Sequence, residues 1–274
     1  MKKDKVKIGL ALGGGGMCGF AHIGFMQVLE ENGIKPDLIS GVSMGSIIGG
    51  FYASGYTLEE IEKMAKSLKK NDLIALNCFK ILKEGLASGK KIETFLNIKL
   101  KVKTLEECIL PFYVGATNLK TGKSEYFCEG KLVQALRAST AIPSIFPAVK
   151  FNGTSYVDGG TSENVPFPIL RDKGADVVIA LDCIEPYSLK TIPKGSFPTL
   201  FASLNIMQYV ASMNNLQINK DKVDIYCMNG TKGVTPQSLD FKFIPKVIES
   251  GRKCALQNIE KIKKIIKEKE NAKV

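Results

Sequence analysis

Three short runs of consecutive apolar residues, within 6–12, 38–42 and 176–182, constrain this chain more than any other feature. A strand shielded on both faces has no polar side, so it reads as an unbroken Val/Ile/Leu run rather than an alternation. Between the first two runs, Ile23, Met26, Val28 and Leu29 form an apolar stripe that predicts a helix over 20–32, stopped at Gly33. The second run leads through Ser43 into a helix of small residues over 44–54. Thr57 and Glu60 then match a capping box for the next helix. Strands alternating with helices predict an α/β fold, a mainly parallel sheet covered by helices.

Farther along, 70–108 mixes lysines with apolar positions and reads as helical. A strand over 111–118, a turn at 120–123 and a partner at 124–127 form a hairpin. A short helix over 132–139 closes before Pro143, 155–157 leads into Asp158-Gly159-Gly160, and 223–228 reads as one more strand. From Ile244, the residues Val247, Ile248, Gly251, Ala255, Ile259, Ile262 and Ile266 recur at helical spacing among lysines. They predict a C-terminal helix with one apolar and one basic face, docked on the core and frayed at its lysine-rich end.

Composition excludes several classes. With 45% hydrophobic and 24% charged residues the chain is neither disordered nor fibrous. Its 38 basic against 27 acidic residues give +11, which favours an anionic partner. The lysines are spread out, and no basic block interleaved with aromatics offers a stacking platform, so nucleic acid is not expected. A solvated lysine surface with peripheral contact to anionic membranes is. Seven cysteines without a C-x-x-C pair fit neither a disulfide framework nor a zinc site, and point to reduced thiols in a cytoplasm, with no metal and no cofactor. The charged start is followed by too short an apolar run for an export signal. The charge-free stretch 38–58 is too rich in Gly and Ser to span a bilayer.

Two loops could carry chemistry. Gly13-Gly14-Gly15-Gly16-Met17-Cys18-Gly19 contains G-x-G-x-x-G between a strand and a helix. A dinucleotide site wants an acid at the end of the next strand, and that strand ends in Gly41-Val42-Ser43; no Gly-Lys-Ser/Thr follows, so a P-loop is excluded. Bare N–H groups converging at a helix N-terminus still favour an anion, either a phosphate or a transient oxyanion. Gly41-Val42-Ser43-Met44-Gly45 is G-x-S-x-G between a strand and a helix, the setting of a nucleophile elbow. Both loops follow strands, which puts nucleophile and oxyanion donors at one edge of the sheet. The base is either His22, the single histidine, in a triad, or a carboxylate in a dyad; Asp158, ending an apolar segment before two glycines, is the carboxylate that stands out.

The glycine loop with Gly19-Phe20-Ala21-His22, the Gly41–Gly45 elbow, Arg137-Ala138-Ser139-Thr140-Ala141-Ile142-Pro143 and Asp158-Gly159-Gly160 resemble, in order and spacing, the successive blocks of patatin-like phospholipases. The resemblance covers about 5–185. It implies one domain over 1–274, with 186–274 a C-terminal extension ending in the amphipathic basic helix. It also implies a three-layer α/β/α sandwich with a mainly parallel central sheet, and hydrolysis of lipid acyl esters by a Ser43–Asp158 dyad. The amides of Gly14, Gly15 and Gly16 are then the oxyanion donors, Gly19, Gly41, Gly45, Gly159 and Gly160 support the motifs, and His22 is structural. One departure is Cys18, where such loops commonly carry Arg or Lys; a small packed residue is the expectation. The alternative is a regulatory or anion-binding protein built on the glycine loop.

Overall fold

The structure, a computed structural model, describes residues 5–68, 89–151, 153–184, 194–235 and 240–273. The part of the expected helical stretch over 69–88 lies outside them. In chain order the elements begin with β1 (Ile8–Leu12), α1 (Ala21–Glu31), β2 (Leu38–Val42), α2 (Met44–Ala53), α3 (Leu58–Ser67) and α4 (Lys90–Lys99). They continue with β3 (Phe112–Asn118), β4 (Ser124–Phe127), α5 (Leu132–Ser139), β5 (Val149–Phe151), β6 (Thr154–Asp158) and α6 (Pro168–Asp172). Last come β7 (Val177–Asp182), α7 (Ser196–Ile218), β8 (Ile225–Met228) and α8 (Ile244–Ala272).

The sheet runs β5-β6-β3-β2-β1-β7-β8, with β4 also paired to β3. Strands β3, β2, β1, β7 and β8 are mutually parallel; β4, β5 and β6 add an antiparallel flank. The three apolar runs became β1, β2 and β7, and every residue of these strands is buried. Their side chains alternate between the faces. Leu10, Leu12, Ile179 and Leu181 enter the large core cluster with α1, α2, α3 and α8, whereas Ala11, Val178 and Ala180 pack with Phe167 and Leu170 around α6. Helices on both faces make the three layers expected.

The capping box forms in full: Thr57 N–H donates to Glu60 Oε2 (2.8 Å) and Glu60 N–H to Thr57 Oγ1 (3.2 Å). Helix α8 packs on α1 at unusually short range. A Cβ on Gly24 would lie 2.0 Å from the Ile248 carbonyl oxygen, and one on Gly251 would lie 1.9 Å from that of Ala21, so only glycines let these backbones touch.

Two local expectations are corrected and one helix is added. Helix α4 stops at Leu100, where Glu107 Oε2 accepts from the N–H groups of Lys103 and Thr104 and Leu105 N–H donates to Gly130 O, turning 100–110 into a pinned loop. The end of α8 is not frayed: Lys273 Nζ meets Asp176 Oδ2 at 2.6 Å and Lys269 meets Asp224 at 3.8 Å. The 23-residue α7 has no counterpart in the sequence reading, because it carries no charged residue to mark a solvent face.

Candidate active site

Strand β3 brings the two key residues together. Its residues 112–115 pair with β2 and 116–118 with β6, while β4 pairs with 114–117 and therefore occupies the opposite edge throughout. Thus β2 and β6 meet end to end on one edge of β3, Val42 opposite Gly115 and Asp158 opposite Ala116. Their carboxyl ends converge, and the residue after β2, Ser43, faces the last residue of β6. Ser43 Oγ–H donates to Asp158 Oδ2 at 2.7 Å.

Ser43 sits at φ 52°, ψ −124°, one of two non-glycine residues with positive φ among the described residues. Such backbone persists only where its surroundings hold it. Ser43 N–H donates to Ser139 Oγ (2.9 Å), whose hydroxyl in turn donates to Gly115 O (2.7 Å), and Ser43 O accepts from Ser46 Oγ (2.7 Å). Gly45 lets α2 press on β1: a Cβ there would lie 2.1 Å from the Leu12 carbonyl oxygen. A Cβ on Gly41 would lie 2.8 Å from the Gly45 carbonyl oxygen and from Ser46 across the elbow. Ser43 is 8% exposed, so the nucleophile candidate is reachable but sheltered.

Asp158 is buried, and its other oxygen, Oδ1, accepts from Gly160 N–H at 2.8 Å; Gly159 and Gly160 form the short turn that follows. Burial pushes its carboxyl from 3.8 up to about 6, against the opposing pull of the bonds from Ser43 and Gly160. A carboxylate tuned to this range is ionised at neutral pH yet more basic than a surface aspartate.

The glycine loop stands beside this pair, with a Cβ on Gly14 falling 3.2 Å from Ser43 Cβ. Its amides divide into two groups. Gly13 N–H donates to Leu181 O (3.0 Å) and Gly14 N–H to Asn164 O (3.1 Å). The Gly14 amide is thus occupied, which corrects its expected place among the open donors. The amides of Gly15 and Gly16 have no acceptor among the described residues. Gly19 packs on Met44 at the start of α2.

His22 is fully buried and turned away from this pair. Its Nε2 meets Gly13 O at 2.7 Å, and since a carbonyl only accepts, Nε2 carries the proton. Burial pushes the imidazole down to about 4 despite that bond. Cys18 is buried with its thiol 3.7 Å from Val234 O. Two residues sequence reasoning missed support the site. Asn164 holds Gly14 through its carbonyl and donates through Nδ2 to Asp182 (3.2 Å), while its buried Oδ1 has no partner among the described residues and lies against Gly14 and Gly160. Asp182, buried, also accepts from Tyr226 Oη (2.6 Å) and Ile184 N–H (3.0 Å). The DGG-x-x-x-N spacing and the acid ending the β7 run were the available signals.

Residues 10–171 match the family of patatin-like phospholipases. The chain belongs to that family. Among relatives of this patatin-like domain, an uncharacterized NTE family protein of Mycobacterium tuberculosis is 35% identical over 175 residues, covering 64% of this chain and 48% of the relative. A lysophospholipase of Yarrowia lipolytica is 32% identical over 179 residues, 64% of this chain and 12% of its own. The patatin-like chain therefore spans about half the length, or much less, of the curated relatives it matches. Among solved structures, VipD of Legionella pneumophila superposes with a TM-score of 0.57 at 16% identity, covering 94% of this chain and 67% of VipD, a likeness of fold.

Proposed function

We propose that this patatin-like protein is a serine hydrolase that cleaves fatty-acyl esters of lipids, with Ser43 as nucleophile and Asp158 as its general base. The observation that carries the proposal is the 2.7 Å bond from Ser43 Oγ to Asp158 Oδ2 in a backbone held at positive φ. Ser43 Oγ attacks the acyl carbonyl carbon as its proton passes to Asp158. The oxyanion that forms is stabilised by the open amides of Gly15 and Gly16, with Gly14 shaping the loop rather than donating. Collapse of the intermediate releases the alcohol, which takes the proton from Asp158. Water then attacks the acyl-enzyme, gives its proton to Asp158, and the fatty acid leaves as Ser43 recovers that proton. His22 contributes packing, since its ring nitrogens meet Gly13 O and Cys183 Sγ and its imidazole is neutral at working pH.

The lysophospholipase relative supports a lysophospholipid or phospholipid as the ester. Nucleotide binding is the weaker reading, because β2 is followed by Ser43 rather than an acid and the Gly14 amide is already bonded. Turnover of a soluble short-chain ester and of lysophosphatidylcholine by wild type, Ser43→Ala and Asp158→Asn tests the proposal. Both variants are expected to lose on the order of 10³-fold or more in kcat. A folded Asp158→Asn protein working at the wild-type rate would remove Asp158 from the mechanism.

A further inference from the structure

Helix α7 is anomalous for a soluble surface. Its 23 residues include no Asp, Glu, Lys or Arg in a chain that is 24% charged. None of its described side chains from Ser196 to Ala211 is buried, and Leu200, Ile206, Met207 and Val210 are 38%, 40%, 64% and 48% exposed. At 100° per residue these four fall within about 120° of the helix circumference, so they form one uncharged, largely apolar strip in which Thr199 and Ser203 are interspersed.

The position of this strip follows from contacts farther down the helix. Gln208 Nε2 lies against Gly160, in the turn that holds Asp158, and Asn215 Nδ2 donates to Glu163 Oε1 at 3.0 Å. Below that, α7 ends near Lys222, which pairs with Asp172, and the chain enters β8 at its amino end. The helix thus runs antiparallel to the parallel strands, and its first half projects past their carboxyl edge, where Ser43 lies. Leu200 stands roughly 12 Å farther along the axis than Gln208.

The same edge carries a cationic rim. The β3–β4 turn presents Leu119, 53% exposed, flanked by exposed Lys120 and Lys123. Lys194, at the entry to α7, Lys232, after β8, and Lys246, at the start of α8, are also exposed, and none of these five lysines has a carboxylate partner among the described residues.

We propose that this carboxyl edge, led by the first half of α7, docks on an anionic lipid bilayer. The apolar strip enters the interface between headgroups and acyl chains, and the lysines around it meet the negative headgroups. A protein partner would more naturally meet such a cationic rim with carboxylates and would need the strip to be covered by one fitted surface; a bilayer satisfies both features at once. The inference rests on the hydrolase reading for its purpose, which is to bring Ser43 to esters still held in a lipid surface. Its evidence, the exposed strip and rim, is independent of that reading.

The test uses vesicles of phosphatidylcholine mixed with phosphatidylglycerol, and of phosphatidylcholine alone, in sedimentation assays on the full chain. A Ser43→Ala background keeps the vesicles intact. The protein is expected to partition onto the mixed vesicles; Met207→Glu with Val210→Glu should lower that partitioning about tenfold or more at every salt concentration. Lys232→Glu with Lys246→Glu should lower it several-fold at low salt and little at high salt. Met207→Gln with Val210→Gln, which removes apolar surface without adding charge, should give an intermediate loss and serves if the glutamates unfold the helix. With Ser43 intact, Met207→Glu/Val210→Glu should hydrolyse a soluble short-chain ester within about twofold of wild type, yet lose about tenfold on vesicle-borne lysophospholipid. Equal vesicle binding by wild type and both Met207/Val210 variants would overturn the proposal, as would absence of wild-type binding. So would a dimer that these variants dissociate, which would assign the strip to a second copy. Wild type that binds vesicles but turns over no ester would instead refute the hydrolase reading and leave the docking surface standing.

Discussion

The two glycine-bearing loops at the carboxyl edge look alike in sequence and are built to opposite ends. In the β2–α2 elbow every polar atom of Ser43 is engaged: the amide with Ser139, the hydroxyl with Asp158, the carbonyl with Ser46. In the loop after β1, Gly13 and Gly14 are tied down, whereas the amides of Gly15 and Gly16 have no acceptor among the described residues. A group that must be aimed is held from all sides, and groups that must meet a charge absent from the resting state are held open. The difference fits the proposed hydrolase, in which one loop attacks and the other stabilises charge.

The largest effect is expected from spoiling the elbow itself. Gly45→Ala places a methyl group 2.1 Å from the Leu12 carbonyl oxygen, so α2 must leave β1. The expected cost is about 3 kcal/mol or more, with activity lost, read by denaturant unfolding beside ester turnover. A milder change sharpens the comparison. Ser139→Ala leaves the Ser43 amide and Gly115 carbonyl without their shared hydroxyl, and should cost about 1–2 kcal/mol of stability and roughly tenfold or more in kcat with little change in KM. Because the bond orients Ser43 rather than substrate, an equal rise in KM would contradict this.

The smallest effects are pH slopes that separate Asp158 from His22. Asp158 binds its proton more tightly folded, about 6 against 3.8, so burying the carboxylate costs stability above pH 6 and that cost vanishes as pH falls toward 3.8. His22 does the reverse: at about 4 folded against 6.5, it contributes stability above 6.5 that is lost as pH falls toward 4. Each contribution is bounded at about 3 kcal/mol, and between pH 6 and 4 they oppose one another. Asp158→Asn should therefore raise Tm at pH ~8 and make Tm fall more steeply than wild type on acidification. The same carboxyl predicts that kcat/KM of the wild type declines below pH about 6.

Much of this was readable in advance, for reasons that differ by element. Strands β1, β2 and β7 announced themselves because burial on both faces leaves no room for polar residues, and α3 because a capping box is local. Helix α7 was silent, since its apolar side faces outward and its inner side carries Gln208, Ser212 and Asn215. Ser43 and Asp158 were legible as motif residues, but their meeting depends on β3 pairing with β2 and β6 in succession, a register no local pattern encodes. The occupied Gly14 amide was hidden for the same reason: its acceptor, Asn164, lies 150 residues away in the chain.

Intact-mass spectrometry after treatment with a fluorophosphonate, on wild type, Ser43→Ala and Asp158→Asn, reads out whether Ser43 is activated by Asp158. One adduct is expected on wild type, none on Ser43→Ala, and labelling of Asp158→Asn slowed by on the order of 10²-fold or more. An unlabelled wild type under conditions that modify a control hydrolase, or an adduct that survives Ser43→Ala, would contradict that activation.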